Sequence, residues 1–412
     1  MAEAIRAADM DPKFRAEVQS LIKAFDFGNC LACGMCTAGC PYSDLIPGHD
    51  PRKFLRKVLL GLKEEALKDP YVWYCNMCER CTVECPMQIN VATFVRTIRG
   101  NFYDRKEIPG FLQKVVEEQI ETGNQMSVDQ TDYIETLEWI EEELQAELDD
   151  PNYKIPIDKE DADYFFGFNA REIKYYPQDL QAILKVFYAA GFNYTISSKK
   201  WDATNLALFT GIEEDFYNIQ RPLFEEVVRL RARELIVTEC GHAFRSCRYA
   251  YRTFWKGQPF PIRHVLQLLD EAIKDGRLKS KGKGLITAPV TYHDPCNTAR
   301  KEGVFEEGRN VLKYFVDDYR EMHPNRKFNY CCGGGGGFIA MPEFSDIRVK
   351  IKGQRKADQV KATGAKVVAV PCHNCMDQFN DITKYFQLGT KNEHVCSIIA
   401  DACVLPNGKE EE

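Results

Sequence analysis

No stretch of this 412-residue chain approaches the roughly 18 consecutive apolar residues that a membrane-crossing helix requires, so the sequence predicts no transmembrane segment of its own. An uninterrupted apolar leader is missing as well: residues 1–27 interleave charged and apolar positions and read as an amphipathic helix. Basic excess is absent. Lys and Arg number 54 against 61 Asp and Glu, a net charge of −7, and no basic face stands out, which argues against nucleic acid as the main partner. A dinucleotide fingerprint is lacking too, because the glycines after Cys332 do not fall as G-x-G-x-x-G between a strand and a helix; any flavin belongs on another chain.

Cysteine, by contrast, is abundant. There are 17, an odd number clustered at short metal-ligand spacings, which points to thiolates on metal in a reducing cytoplasm rather than to disulfides. With 44% hydrophobic and 28% charged residues the chain should fold around real cores, and its length suits two or three domains at about 150 residues each.

Cys30, Cys33, Cys36 and Cys40 precede Pro41, and Cys75, Cys78, Cys81 and Cys85 precede Pro86. Both blocks are the C-x2-C-x2-C-x3-C-P spacing of bacterial ferredoxin sites. Three thiolates two residues apart wrap one 4Fe-4S cubane, while the fourth points away to the other cluster. Cys30, Cys33, Cys36 and Cys85 should therefore hold one cluster, and Cys75, Cys78, Cys81 and Cys40 the second. Zinc, the rival metal, favours pairs of cysteines instead. Between the blocks, residues 50–60 carry helix-start chemistry followed by apolar residues at helical spacing.

From about 90 to 150 the pattern is helical and turns acidic, with Leu137, Ile140, Leu144 and Leu148 on one face. Pro151 and Pro156 mark a boundary. Beyond it, strand-like runs alternate with amphipathic helices, and the pattern repeats: the run ending at Glu239, Cys240 and Gly241 sets against the one ending at Pro371, Cys372 and His373. The expected architecture is α+β multidomain: a helical ferredoxin-like domain with two 4Fe-4S clusters (1–110), an acidic helical linker (111–154), a degenerate α/β lobe (155–283) and an intact one (284–412). The first lobe has Phe168 where the second has Cys296, and Ala243 where it has Cys375. Only Cys240 survives, leaving Cys240, His242 and Cys247 as secondary candidates.

The second lobe offers Cys296, Cys331, Cys332, Cys372 and Cys375, with gaps of 34 and 39 residues. Adjacent cysteines diverge, and the five glycines from Gly333 to Gly337 forfeit backbone order, a cost that a thiolate-bound inorganic cofactor approached closely by main chain would offset. His293 and His373 are candidate proton donors or hydrogen-bonders to cluster sulfur. Asp294 is a candidate helix cap, and Arg300 and Lys301 offset cluster charge, steer an anionic partner or lie on a solvated face.

The segments His293-Asp294-Pro295-Cys296, Cys331-Cys332-Gly333-Gly334-Gly335 and Pro371-Cys372-His373-Asn374-Cys375 resemble the cysteine-rich CCG domain of the heterodisulfide reductase superfamily. The layout resembles its D-type subunit and, with one intact lobe, the DsrK, TmcB and HmcF group. The resemblance implies a non-cubane 4Fe-4S cluster on the five cysteines, with Gly333, Gly334 and Gly335 against it, making or breaking sulfur–sulfur bonds. It also implies a cytoplasmic iron–sulfur subunit held on the inner face of the membrane by a quinone-linked cytochrome b-type subunit and further redox subunits, with a DsrC-like sulfur carrier as substrate. A relay without substrate, and the iron–sulfur subunit of a glycolate or lactate oxidase, are the alternatives.

Overall fold

The computed structural model describes residues 5–406. The amino-terminal third is helical. The helix expected over 1–27 covers only Pro12–Leu21, because Pro12 supplies a first helical residue and Asp11 caps it, accepting from the Lys13 amide at 2.9 Å; the first four residues of that expectation lie outside the described residues. Pro51–Leu59 is a helix capped by Asp50, as its sequence predicts. Two short helices, Met35–Gly39 and Arg80–Glu84, carry the latter parts of the cysteine blocks and pack against each other. In each block the second and fourth residues after the first cysteine are left-handed: Ala32 and Gly34 in one, Met77 and Glu79 in the other. This shared backbone curls both loops around their thiols.

Two four-stranded parallel sheets follow. β1 (Tyr164–Gly167), β2 (Tyr194–Thr195), β3 (Glu234–Val237) and β4 (Ile262–His264) lie in the order β2-β1-β3-β4. β5 (Val290–Tyr292), β6 (Tyr319–Arg320), β7 (Val367–Ala369) and β8 (Lys391–Glu393) take the equivalent order β6-β5-β7-β8. The central strands are short, apolar and buried, as strands covered on both faces must be. Tyr164 pairs with Glu234 in the first sheet and Val290 with Val367 in the second.

The sheets interlock. The helix after β4, Val265–Lys274, packs on Glu307–Phe315, the helix that follows β5, and Val395–Ile399 after β8 packs on Pro177–Ala189, which follows β1. One apolar core, with Phe166, Phe187, Leu268, Leu312 and Ile399, therefore runs through both halves. Gln130–Glu147 closes it, burying Leu137, Ile140 and Leu144 and leaving its acidic face outside. The turns after β5 and β7 carry His293 to Cys296 and Cys372 to Cys375 at the carboxyl ends of the strands, where α/β sheets gather functional groups.

Candidate functional site

The thirteen cysteines singled out by spacing form three groups, and all 17 cysteines of the chain are free thiols. Cys30, Cys33, Cys36 and Cys85 line one small cavity with Leu31, Met35 and Met87. Cys33 is exposed, and Leu31, Met35 and Met87 are exposed apolar side chains around it. Cys40, Cys75, Cys78 and Cys81 form a second, buried group. Burial and then the neighbouring Cys78 sulfur hold the protons of Cys40 and Cys81 on firmly. Backbone amides serve both groups, Ala32 to Cys30 Sγ at 3.4 Å and Met77 to Cys75 Sγ at 3.3 Å.

The third group is Cys296, Cys331, Cys332, Cys372 and Cys375, all at most 7% exposed. Cys332 and Cys375 sulfurs lie 3.3 Å apart. Cys331 is within hydrogen-bonding reach of Cys296 and also of Cys78, so the second and third groups touch. Hydrogen bonding from Cys296 lowers the Cys331 pKa. Contacts with Cys331 and Cys375 hold Cys332 well below the ordinary thiol range, and contacts with Cys240 and Cys375 do the same for Cys372. Cys240, a secondary candidate by sequence, thus sits against Cys372 as a sixth thiol. Cys247 does not join it: its sulfur meets Gln220 at 3.3 Å in an apolar pocket. His242 Nε2 is engaged by the Asn205 carbonyl at 2.7 Å, and the ring stacks on Phe209.

The two candidate histidines part company. The His293 imidazole groups with the thiols of Cys332 and Cys375, beside Phe379, and burial keeps it neutral by holding its pKa well below the ordinary value. His373, although next to Cys372, turns to Glu172, 3.9 Å away, and its ring lies tilted against that of His394, centroids 4.4 Å apart. Asp294 is not a helix cap. It forms a buried bidentate pair with Arg309, at 2.7 and 2.6 Å, and accepts from the Arg326 amide. Arg300 and Lys301 do not lie on a solvated face: Arg300 donates to the Cys78 carbonyl at 2.8 Å and to Asn329 O, and Lys301 to Met77 O at 2.7 Å and Glu79 at 2.6 Å. They clamp the second cysteine block onto the third group.

Several clamping residues carry no sequence signal of their own. Asn76, inside the second block, donates to Gly333 O at 2.7 Å and Gly335 O at 2.8 Å. Lys352 closes a π-helical segment, Ile347–Lys352, and donates to Asn76 Oδ1 at 2.7 Å and to Tyr74 O. Burial pushes Lys352 down to about 7 and Lys356 to about 8, the thiolates opposing it in both cases. Both lysines are placed to balance thiolate charge.

The glycine run serves these contacts. A Cβ on Gly334 would lie 2.6 Å from Asn374 O, and one on Gly336 2.6 Å from Asn76 Cα. The glycines admit neighbouring backbone, while the Gly333 and Gly334 amides point at Cys331 and Cys332 Sγ at 3.5 and 3.4 Å. With φ of +70° at Gly336, Gly336→Ala is expected to cost about 1–3 kcal/mol; a denaturant melt that leaves the midpoint unchanged would refute this packing.

Three buried or half-buried sulfur sets, free of disulfides and flanked by amides and buried lysines, fit iron–sulfur clusters as ligands. The family comparisons agree. A 4Fe-4S dicluster domain matches residues 29–90, and a cysteine-rich (CCG) domain matches residues 290–380. The chain thus carries a 4Fe-4S dicluster domain and a cysteine-rich CCG domain, and over most of its length it is similar to D-type subunits of heterodisulfide reductase and to Hdr-like iron–sulfur subunits. It is 26% identical over 431 residues to the D-type subunit of dihydromethanophenazine:CoB–CoM heterodisulfide reductase from Methanosarcina mazei, covering 97% of this chain and 99% of that one. It is 23% identical to Hdr-like menaquinol oxidoreductase iron–sulfur subunit 2 of Archaeoglobus fulgidus, covering 91% and 79%. A probable membrane-anchored ferredoxin of Chromohalobacter salexigens is 26% identical over 85% of this chain, which spans 55% of that relative's length. Among the described residues no helix is long and apolar enough to cross a membrane.

Proposed function

We propose that this chain is the iron–sulfur subunit of a membrane-bound redox complex, exchanging electrons between a quinone-linked cytochrome b-type subunit and a disulfide or trisulfide substrate, with a DsrC-like sulfur carrier as the fitting partner. Cys30, Cys33, Cys36 and Cys85 would hold one cubane, Cys75, Cys78, Cys81 and Cys40 a second, and Cys296, Cys331, Cys332, Cys372 and Cys375 a non-cubane 4Fe-4S cluster. When bound, such clusters carry electrons singly and present iron to sulfur. The observation that carries the reading is the contact of Cys78 with Cys331, which puts the second and third sets against one another. The exposed apolar rim of Leu31, Met35 and Met87 suits the first set to meet a redox partner.

Opening R–S–S–R′ consumes two electrons and two protons and releases two thiols. The neutral His293 imidazole, grouped with Cys332 and Cys375, is placed to hydrogen-bond the sulfurs at that step. Gly333, Gly334 and Gly335 line the same sulfurs with main chain. The name of the Archaeoglobus relative, a menaquinol oxidoreductase subunit, supports the quinone side, and that of the Methanosarcina relative the sulfur side. Attachment through partners would put the chain on the inner face of the membrane.

Burial of all five cysteines favours one other reading, a relay that hands electrons to a protein and binds no substrate. Titrating the oxidised holoprotein with a carrier-protein trisulfide separates the two by electron paramagnetic resonance. A change in the oxidised-state signal is the result expected of a catalyst. A signal that never responds while electrons still cross the subunit overturns the catalytic reading in favour of the relay.

A further inference from the structure

Beside the third sulfur set, the interlocked halves bury a second set of metal-ligating side chains. Asp179 comes from the helix Pro177–Ala189 in the first half. His373 opens the helix His373–Phe386 and His394 precedes Val395–Ile399, both in the second. One donor atom from each of the three lies within 4.8 Å of the other two. His394 Nε2 is 3.8 Å from Asp179 Oδ2, and its Nδ1 is 3.5 Å from Glu239 Oε2. Glu172 lies 3.9 Å from His373.

Two features make this more than a polar core. Both histidines are essentially fully buried; neither His373 ring nitrogen has a hydrogen-bond partner, and those of His394 face only the carboxylates of Glu239 at 3.5 Å and Asp179 at 3.8 Å. Leaving such groups empty in a dry interior is costly, and native proteins avoid it. In addition, three carboxylates converge here, and among the described residues their ion-pair partners are the histidines alone. All three are already held in place by neutral donors. Glu239 accepts from the Val395 and Cys396 amides at 2.7 Å, and Glu172 from Thr238 at 2.6 Å and the Asn169 amide at 2.7 Å. Asp179 accepts from Ser397 through Oδ1 at 2.6 Å, which leaves Oδ2 facing His394. Glu239 backs the His394 imidazole, as carboxylates behind metal-binding histidines do.

We propose that Asp179, His373 and His394 bind one divalent transition metal ion, zinc by donor type, with Glu239 supporting His394 from behind. Ligands about 2.0–2.1 Å from a tetrahedral zinc stand roughly 3.3 Å apart, so closing these three atoms onto an ion needs shifts of about 1 Å or less. The half-buried Asp179 gives the ion its way in. The ion is a staple: it ties the first half to the turn that carries Cys372, one residue before His373, and is distinct from the iron–sulfur sites.

The test is equilibrium dialysis of the iron-loaded holoprotein against zinc alone, followed by zinc K-edge absorption. The expected result is one zinc per chain in a nitrogen/oxygen shell at about 2.0–2.1 Å, with no sulfur near 2.3 Å. Asp179→Asn and His394→Gln should each weaken zinc binding at least about tenfold without changing the iron content. Asp179 lies at the rim, so its variant folds even if the His394 variant does not. A sulfur shell, no bound zinc, or unchanged affinity in Asp179→Asn would each overturn the assignment.

Discussion

Arg99→Met is expected to destabilise the protein by about 4 kcal/mol or more, a large share of the roughly 5–15 kcal/mol by which folded domains are stable. The Arg99 guanidinium is fully buried. It donates to Val72 O at 2.8 Å, Phe209 O at 2.9 Å, Gly336 O and Cys75 O at 3.0 Å, and Trp73 O at 3.3 Å. Those carbonyls belong to Cys75 and the short helix Tyr71–Tyr74 that leads into it, to the helix Ala207–Thr210, and to the glycine run beside Cys331 and Cys332. One side chain thus joins three parts of the molecule at the point where two sulfur sets meet. Methionine fills similar volume and donates nothing, so four buried acceptors and one partly buried one lose their partner, at about 1–3 kcal/mol for each buried one before relaxation. Arg99→Lys keeps the charge but replaces a planar five-donor fork by a point charge, and an intermediate loss is expected. Denaturant melts of the holoprotein measure both, and a methionine variant within about 1 kcal/mol of the parent would contradict the hub.

Arg309→Met should cost about 3–5 kcal/mol, because removing one partner of a buried pair strands the other. Arg309 and Asp294 side chains are 0% and 2% exposed, and Arg309 also meets Glu321 at 2.8 Å. The pair fixes the turn that starts at His293 and delivers Cys296, so the same variant should loosen the third sulfur set while leaving the first two in place. Replacing both partners with Arg309→Met and Asp294→Leu should recover part of the loss, since two apolar groups leave no stranded charge. Equal loss in single and double variants, read by thermal unfolding, would show that the pair itself is not the cause.

What the sequence made legible was local. Cysteine spacing singled out the residues that the fold gathers, because ligand loops are short and their pattern is covalent. The acidic helix showed itself through Leu137, Ile140 and Leu144, whose periodicity is a property of one helix. Asp294 misled because a cap is a local pattern, whereas its partner Arg309 lies a loop and a helix away. Arg300 and Lys301 could be read either as offsetting cluster charge or as a solvated face, because their acceptors, Cys78 O and Met77 O, are more than 200 residues distant. The glycine run signalled close approach but not of what; Asn76 and Asn374 occupy that space. His373 turned away from the thiols because the first half of the chain presents Glu172 to it.

The most direct test of three joined sulfur sites is iron and acid-labile sulfide analysis with electron paramagnetic resonance, on the anaerobically purified protein and on Cys331→Ser. The account predicts about 12 iron per chain and a paramagnetic oxidised species in the parent, falling to about 8 iron without that species in the variant, with ferredoxin-type signals kept on reduction. About 8 iron in the parent, with only ferredoxin-type signals, would contradict it.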